Sequence, residues 1–95
     1  MDPKEAYQEK AEARLKELEA RIELMEAKAD QAKAEAKVEY SQQIEELQQK
    51  RQEAEERLKG LEAAGSQAWR ELAEGVDEAM STLQNAVTQA AAQSE

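Results

Sequence analysis

From Ala11 to Ala36 the chain repeats one spacing. Ala11, Leu15, Leu18, Ile22, Met25, Ala29, Ala32 and Ala36 follow one another in alternating steps of four and three. That rhythm averages 3.5 residues, so all eight side chains fall on one stripe of an α-helix, with charged residues on the rest of its surface. A helix cannot cover its own stripe, and a second surface has to be found for it.

A second series runs Ile44, Leu47, Arg51, Ala54, Leu58, Leu61, Gly65, Ala68 and Leu72 in the same steps. Eight residues separate Ala36 from Ile44, so the register slips by one. Neither Gly nor Pro lies between them. The spacing predicts one continuous helix with a local change of winding, Tyr40 covering the irregular step. Arg51 sits at a seam position. Its stem is expected to run along the seam with the guanidinium outside, rather than lie buried as a register-setting polar group. A third face holds Trp69, Leu72, Val76, Ala79, Met80, Leu83, Val87 and Ala90, opposite Glu71, Glu74, Asp77 and Glu78.

The ends of these segments carry their own signals. Asp2 and Pro3 have the chemistry of an N-cap and a first helical residue, and Glu5 follows three positions after the cap. Gly60 to Ser66 is the expected boundary, with a left-handed Gly65 ending one helix and Ser66 capping the next. The heptad phase nevertheless persists through Leu61, Gly65, Ala68 and Leu72, so a hinge and a full turn both remain open. The fold expected is all-α and elongated: a coiled-coil helix over residues 1–64 and a shorter amphipathic helix over 65–95. The stretch from Gln89 to Glu95 is small and polar and is expected to fray.

Composition supports association as the source of stability. Charged residues make up 37% of the chain, Phe and Cys are absent, and Ala supplies half of the hydrophobic residues. Such a chain reads as a long helix or coiled coil. Glu12–Lys16, Glu17–Arg21, Glu46–Lys50, Glu53–Arg57 and Glu55–Lys59 stand in the favourable i,i+4 order. Each pair contributes about 0.2–0.5 kcal/mol. Burying one Leu or Ile contributes about 1.5–3 kcal/mol, so the stripe outweighs the surface pairs.

The inventory of reactive groups is short. Without His or Cys, most nucleophile–base pairs and transition-metal sites are ruled out. Neighbouring acids such as Glu45-Glu46 and Glu55-Glu56 diverge around a helix and read as solvated. Three isolated glycines match no phosphate loop. No catalytic, cofactor-binding or metal-binding residue is expected, and no cofactor. A net charge of −9 without a basic aromatic patch argues against nucleic acid. All cations lie within residues 1–70, while 71–95 carries five acids and no cation, a tail suited to a basic partner. The beginning lacks the pattern of a secretion signal, and no apolar run reaches the length of about 20 needed to span a bilayer. A cytoplasmic location is expected.

The predicted association seam is therefore Leu15, Leu18, Ile22, Met25, Ala29, Ala32, Ala36, Ile44, Leu47, Ala54, Leu58, Leu61, Ala68 and Leu72. The predicted C-terminal apolar face is Trp69, Val76, Met80, Leu83 and Val87. Copies of the chain are the expected partner, with another protein as a further candidate. Two other readings stay open. One is a chain disordered in dilute solution and helical when bound, crowded or dried. The other is an amphipathic binder of membrane surfaces, which the acids opposite Trp69–Val87 disfavour.

The order of residues also resembles a known family. Ala36-Lys37-Val38-Glu39-Tyr40-Ser41-Gln42-Gln43-Ile44-Glu45-Glu46-Leu47, then Lys50-Arg51-Gln52-Glu53-Ala54, is similar to small bacterial coiled-coil stress-response proteins. Ala68-Trp69-Arg70-Glu71-Leu72 and Gly75-Val76 fall where that family has Trp-centred and Gly-Val pairs. This chain departs from the family's basic, aromatic tail by ending Ala-Ala-Ala-Gln-Ser-Glu. The resemblance implies a non-enzymatic helical protein made under stress. A weaker likeness, through Ala27 to Lys37, is to the Ala/Lys/Glu-rich desiccation protectants.

Overall fold

The computed structural model describes residues 2–93, and all the secondary structure among them is helical. Helix α1 spans Pro3–Asp30, α2 spans Ala34–Ala63 and α3 spans Trp69–Gln93. Tyr7 meets Ala73 and Asp77, and Arg14 meets Gln84, so α1 and α3 run parallel. Gln48 meets Glu26, and Gln43 meets Gln93, so α2 runs against both. The result is an up-down-up bundle of 51 × 19 × 18 Å in which each helix packs against the other two.

The beginning of α1 follows its sequence chemistry. Asp2 is extended and its carboxylate accepts from the Lys4 backbone N–H at 3.2 Å, with Pro3 opening the helix. The continuous helix expected over residues 1–64 is divided, however. Gln31, Ala32 and Lys33 form a turn, closed by the Gln31 and Ala32 N–H groups donating to the Lys28 and Ala29 carbonyls. No residue of this turn has a positive φ, so ordinary side chains suffice. The physical reason lies in packing. Between Met25 and Val38 only Ala interrupts the polar residues, so an uninterrupted helix has little to bury there. Turning back lets the α2 seam cover the α1 seam within one chain, avoiding the rotational and translational cost of recruiting a second molecule.

This turn is testable with one substitution. Lys33 has φ −68° and ψ 155°, the backbone favoured before proline, and Ala34 is the first helical residue. Ala34→Pro is therefore expected to leave the unfolding midpoint unchanged or slightly raised. In an uninterrupted helix the same change would cost about 3 kcal/mol. Denaturant titration followed by circular dichroism separates the two outcomes.

The second connection, residues 64–68, lies where a boundary was expected but is built differently. Gly65 has no positive φ, so it is not a left-handed cap. Ala64 is extended instead, its N–H donating to the Leu61 carbonyl, and the Ala68 N–H donates to the Gly65 carbonyl. Lys4 completes this end of α2 from across the bundle. Its ammonium donates to the carbonyls of Glu62 and Ala64, satisfying acceptors at a helix C-terminus with a positive charge. Helix α3 then starts with a phase of its own.

The core is apolar throughout. Among the described residues, no buried side chain is polar or charged. Helix α1 contributes Ala11, Leu15, Leu18, Ile22 and Met25, and α2 contributes Leu47, Ala54, Leu58 and Leu61. Helix α3 adds Val76, Ala79, Met80, Leu83, Val87 and Ala90. Helix α3 runs through Gln89 to Gln93, within the stretch expected to fray. Ser94 and Glu95 lie outside the described residues.

Candidate functional site

Most of the predicted seam is used up inside the bundle. Leu15, Leu18, Ile22, Met25, Leu47, Ala54, Leu58 and Leu61 are buried against other helices of the same chain. Ala29, Ala32, Ala36 and Ile44 are half-buried around the α1–α2 turn, and no residue of α2 before Leu47 is fully buried. Ala68 and Leu72 depart from expectation. Ala68 is exposed and Leu72 is 43% exposed, because the phase that carried them into the seam ends with α2. Of the C-terminal face, Val76, Met80, Leu83 and Val87 are buried and Trp69 is half-buried. Leu24 and Val38, outside both predicted faces, are the most exposed large apolar residues described, at 61% and 63%.

The end of the bundle where α3 begins holds an aromatic pair. The rings of Tyr7 and Trp69 lie 5.8 Å apart at 40°, and the Arg70 guanidinium sits 5.5 Å above the indole. The Tyr7 hydroxyl donates to the Asp77 carboxylate at 2.6 Å and lies 3.0 Å from the Ala73 carbonyl. Burial, then the bond to Asp77, holds this hydroxyl protonated well beyond the ordinary tyrosine range. Tyr7 is thus a strut between α1 and α3. The periodicity of α1 did not single it out, because it lies one turn before the stripe begins.

Along α2 the ion pairs follow the sequence only in part. Glu46–Lys50 and Glu53–Arg57 form, at 2.6 and 3.1 Å. Glu55 pairs at 2.8 Å with Arg51, whose Nε also donates to Gln48 at 2.6 Å. The Arg51 guanidinium is therefore held at the half-buried edge between α1 and α2. Opposite it, the Glu19 carboxyl faces that of Glu55, and further along the Glu62 carboxyl faces that of Glu12, in the register set by the Gln48–Glu26 bond. Burial, the shared hydrogen bond and the like charges of Glu55 and Glu23 raise Glu19 above the ordinary carboxylate range, against the opposing pull of Arg51. For Glu62 the bond to Glu12 is the largest cause, followed by burial and the Glu12 charge, with Gln8 and Lys4 opposing.

The remaining concavities are shallow. A groove of about 360 Å³ between α2 and α3 is lined by Gln43, Leu47, Lys50, Thr82, Asn85 and Gln89, among others. A smaller cleft between α1 and α3, about 240 Å³, is lined in part by Lys10, Arg14 and Asp77. Neither brings together a nucleophile, a base and an oxyanion donor in the manner of a reaction site. Among the described residues no group of three or more acids is placed to hold a metal ion, and no helix is long and apolar enough to cross a membrane.

Comparisons with protein-family models, with curated proteins and with solved structures find no match to this chain. Its functional reading therefore rests on its own residues and geometry.

Proposed function

We propose that the chain is a non-enzymatic helical bundle that serves as a scaffold or interaction module through its outer surface. The observation that carries this reading is the division of labour among its side chains. Most of the apolar residues are spent on one continuous core, and the charged ones lie outside it. A stress-response role belongs to the same proposal and is supported by the likeness of residues 36–54 and 68–76. Sedimentation and circular dichroism over a dilution series test the bundle itself. Helicity independent of concentration is expected. Helicity that appears only on drying or with alcohol would replace this reading with that of a desiccation protectant, and helicity gained only on vesicles with that of a membrane-surface binder.

Self-association is a second use of the same module, favoured by one specific observation. Val38 is largely exposed and Ala36 and Ile44 are half-buried, all on the part of α2 that precedes its first fully buried residue. Copies would meet around Val38, on the side of α2 turned away from Ala36 and Ile44, rather than through the seam itself. A Lys at position 38 is then expected to reduce the sedimenting mass to one chain with helicity unchanged. A wild-type chain that stays single at high concentration ends the self-association reading and leaves the scaffold reading standing.

A further inference from the structure

The acids on the α1–α2 edge are in register. Glu12, Glu19 and Glu26 are spaced by seven along α1, and their partners Glu62, Glu55 and Gln48 are spaced by seven in the reverse direction along α2. Antiparallel packing sets them opposite one another as three successive rungs. One rung needs no proton, because the Gln48 amide donates to the Glu26 carboxylate at 3.0 Å. The other two place carboxyl against carboxyl. Two carboxylates have four acceptor oxygens and no donor, so such a rung closes only when one carboxyl keeps its proton.

We propose that this edge is a proton-operated clasp: one proton held between Glu19 and Glu55, and another between Glu12 and Glu62, draws α1 and α2 together and makes the bundle more stable in mildly acidic solution than at neutral pH.

The surroundings bias the rungs without neutralising them. Glu19 faces Glu55 and Arg51 from α2 and has Glu23 beside it on α1, while Arg51 is engaged by Glu55 and Gln48. Glu62 faces Glu12, Gln8 and Lys4 from α1, and the Lys4 ammonium is committed to the carbonyls at the end of α2. Among the described residues, no α3 group acts on either carboxyl. The direction follows from linkage. Glu19 and Glu62 hold protons more tightly folded than unfolded, so the folded chain carries more protons in the window above the ordinary carboxylate value. Stability conferred by the clasp is complete below that value and is lost as pH rises through the raised one.

Guanidinium unfolding of the full chain, followed by circular dichroism between about pH 5 and pH 8, reads the clasp. The wild-type midpoint is expected to fall steadily as pH rises. Glu12→Gln combined with Glu19→Gln turns both rungs into copies of the Gln48–Glu26 rung. That variant is expected to have a raised midpoint at neutral pH and to lose most of the slope. Glu9→Gln combined with Glu45→Gln removes the same charge from exposed positions and is expected to keep the wild-type slope. Equal slopes in the two double variants would overturn the clasp. Carboxyl carbon NMR of the wild type tests it without substitution: Glu19 and Glu62 should titrate above the other glutamates, and ordinary midpoints for both would equally refute it.

Discussion

Ile22→Glu is expected to leave the chain unfolded at neutral pH. Ile22 is 1% exposed at the centre of the α1 stripe, in a core whose buried residues are all apolar. A carboxylate there forfeits the burial of an Ile, about 1.5–3 kcal/mol. It also has to be desolvated or protonated beside Glu19, Glu23 and Glu26, which costs several kcal/mol more. A domain of this size is stable by about 5–10 kcal/mol, so the sum removes most or all of it. Circular dichroism at micromolar concentration should show the helical signal lost. Retained helicity with an unchanged melting curve would mean that the stripe is not the core.

Leu83→Ala is the second large effect and tests whether α3 is part of that core. Leu83 is 0% exposed on α3, with Ala79, Met80 and Val87 buried beside it. Truncating it removes burial and leaves a void that neighbouring helices fill only in part, and such changes cost about 2–5 kcal/mol. Leu24→Ala deletes the same atoms from a surface position and is expected to change stability by less than about 0.5 kcal/mol. The contrast between two identical truncations is the measurement. If Leu83→Ala were as harmless as Leu24→Ala, α3 would not be docked on α1 and α2.

The α1 stripe was legible because helical periodicity records a face whatever covers it. Ala11, Leu15, Leu18, Ile22 and Met25 are the buried residues of α1 and also the first five members of its 4–3 series. Asp2 and Pro3 were legible for a similar reason, since a cap is a local bond between neighbours. The α1–α2 turn was not. Gln31, Ala32 and Lys33 adopt it with negative φ and no Gly or Pro, so no local conformational preference marks it. The one-residue slip between Ala36 and Ile44 was its trace, and a change of winding explained that slip equally well. Leu72 and Ala68 misled because a heptad phase can be continued on paper across a connection where the chain changes direction.

The candidate clasp shows the same limit from the other side. Its six residues stand at intervals of seven in the sequence, yet on separate helices such spacing is ordinary for solvated glutamates. Only antiparallel packing in one particular register sets Glu19 against Glu55 and Glu12 against Glu62. Tyr7 and Lys4 are alike in this respect. Their bonds to Asp77 and to the end of α2 join residues about seventy and sixty positions apart.

By itself, then, the sequence determined that the chain is helical, which face of each helix is apolar, and how the first helix begins. Those properties follow from side-chain spacing and from bonds between near neighbours. The tertiary structure alone decided that the faces cover one another within a single chain, and which charges meet across the edge. Burial is indifferent to the identity of the covering surface, whereas a hydrogen bond or a shared proton requires two particular atoms to arrive at one place.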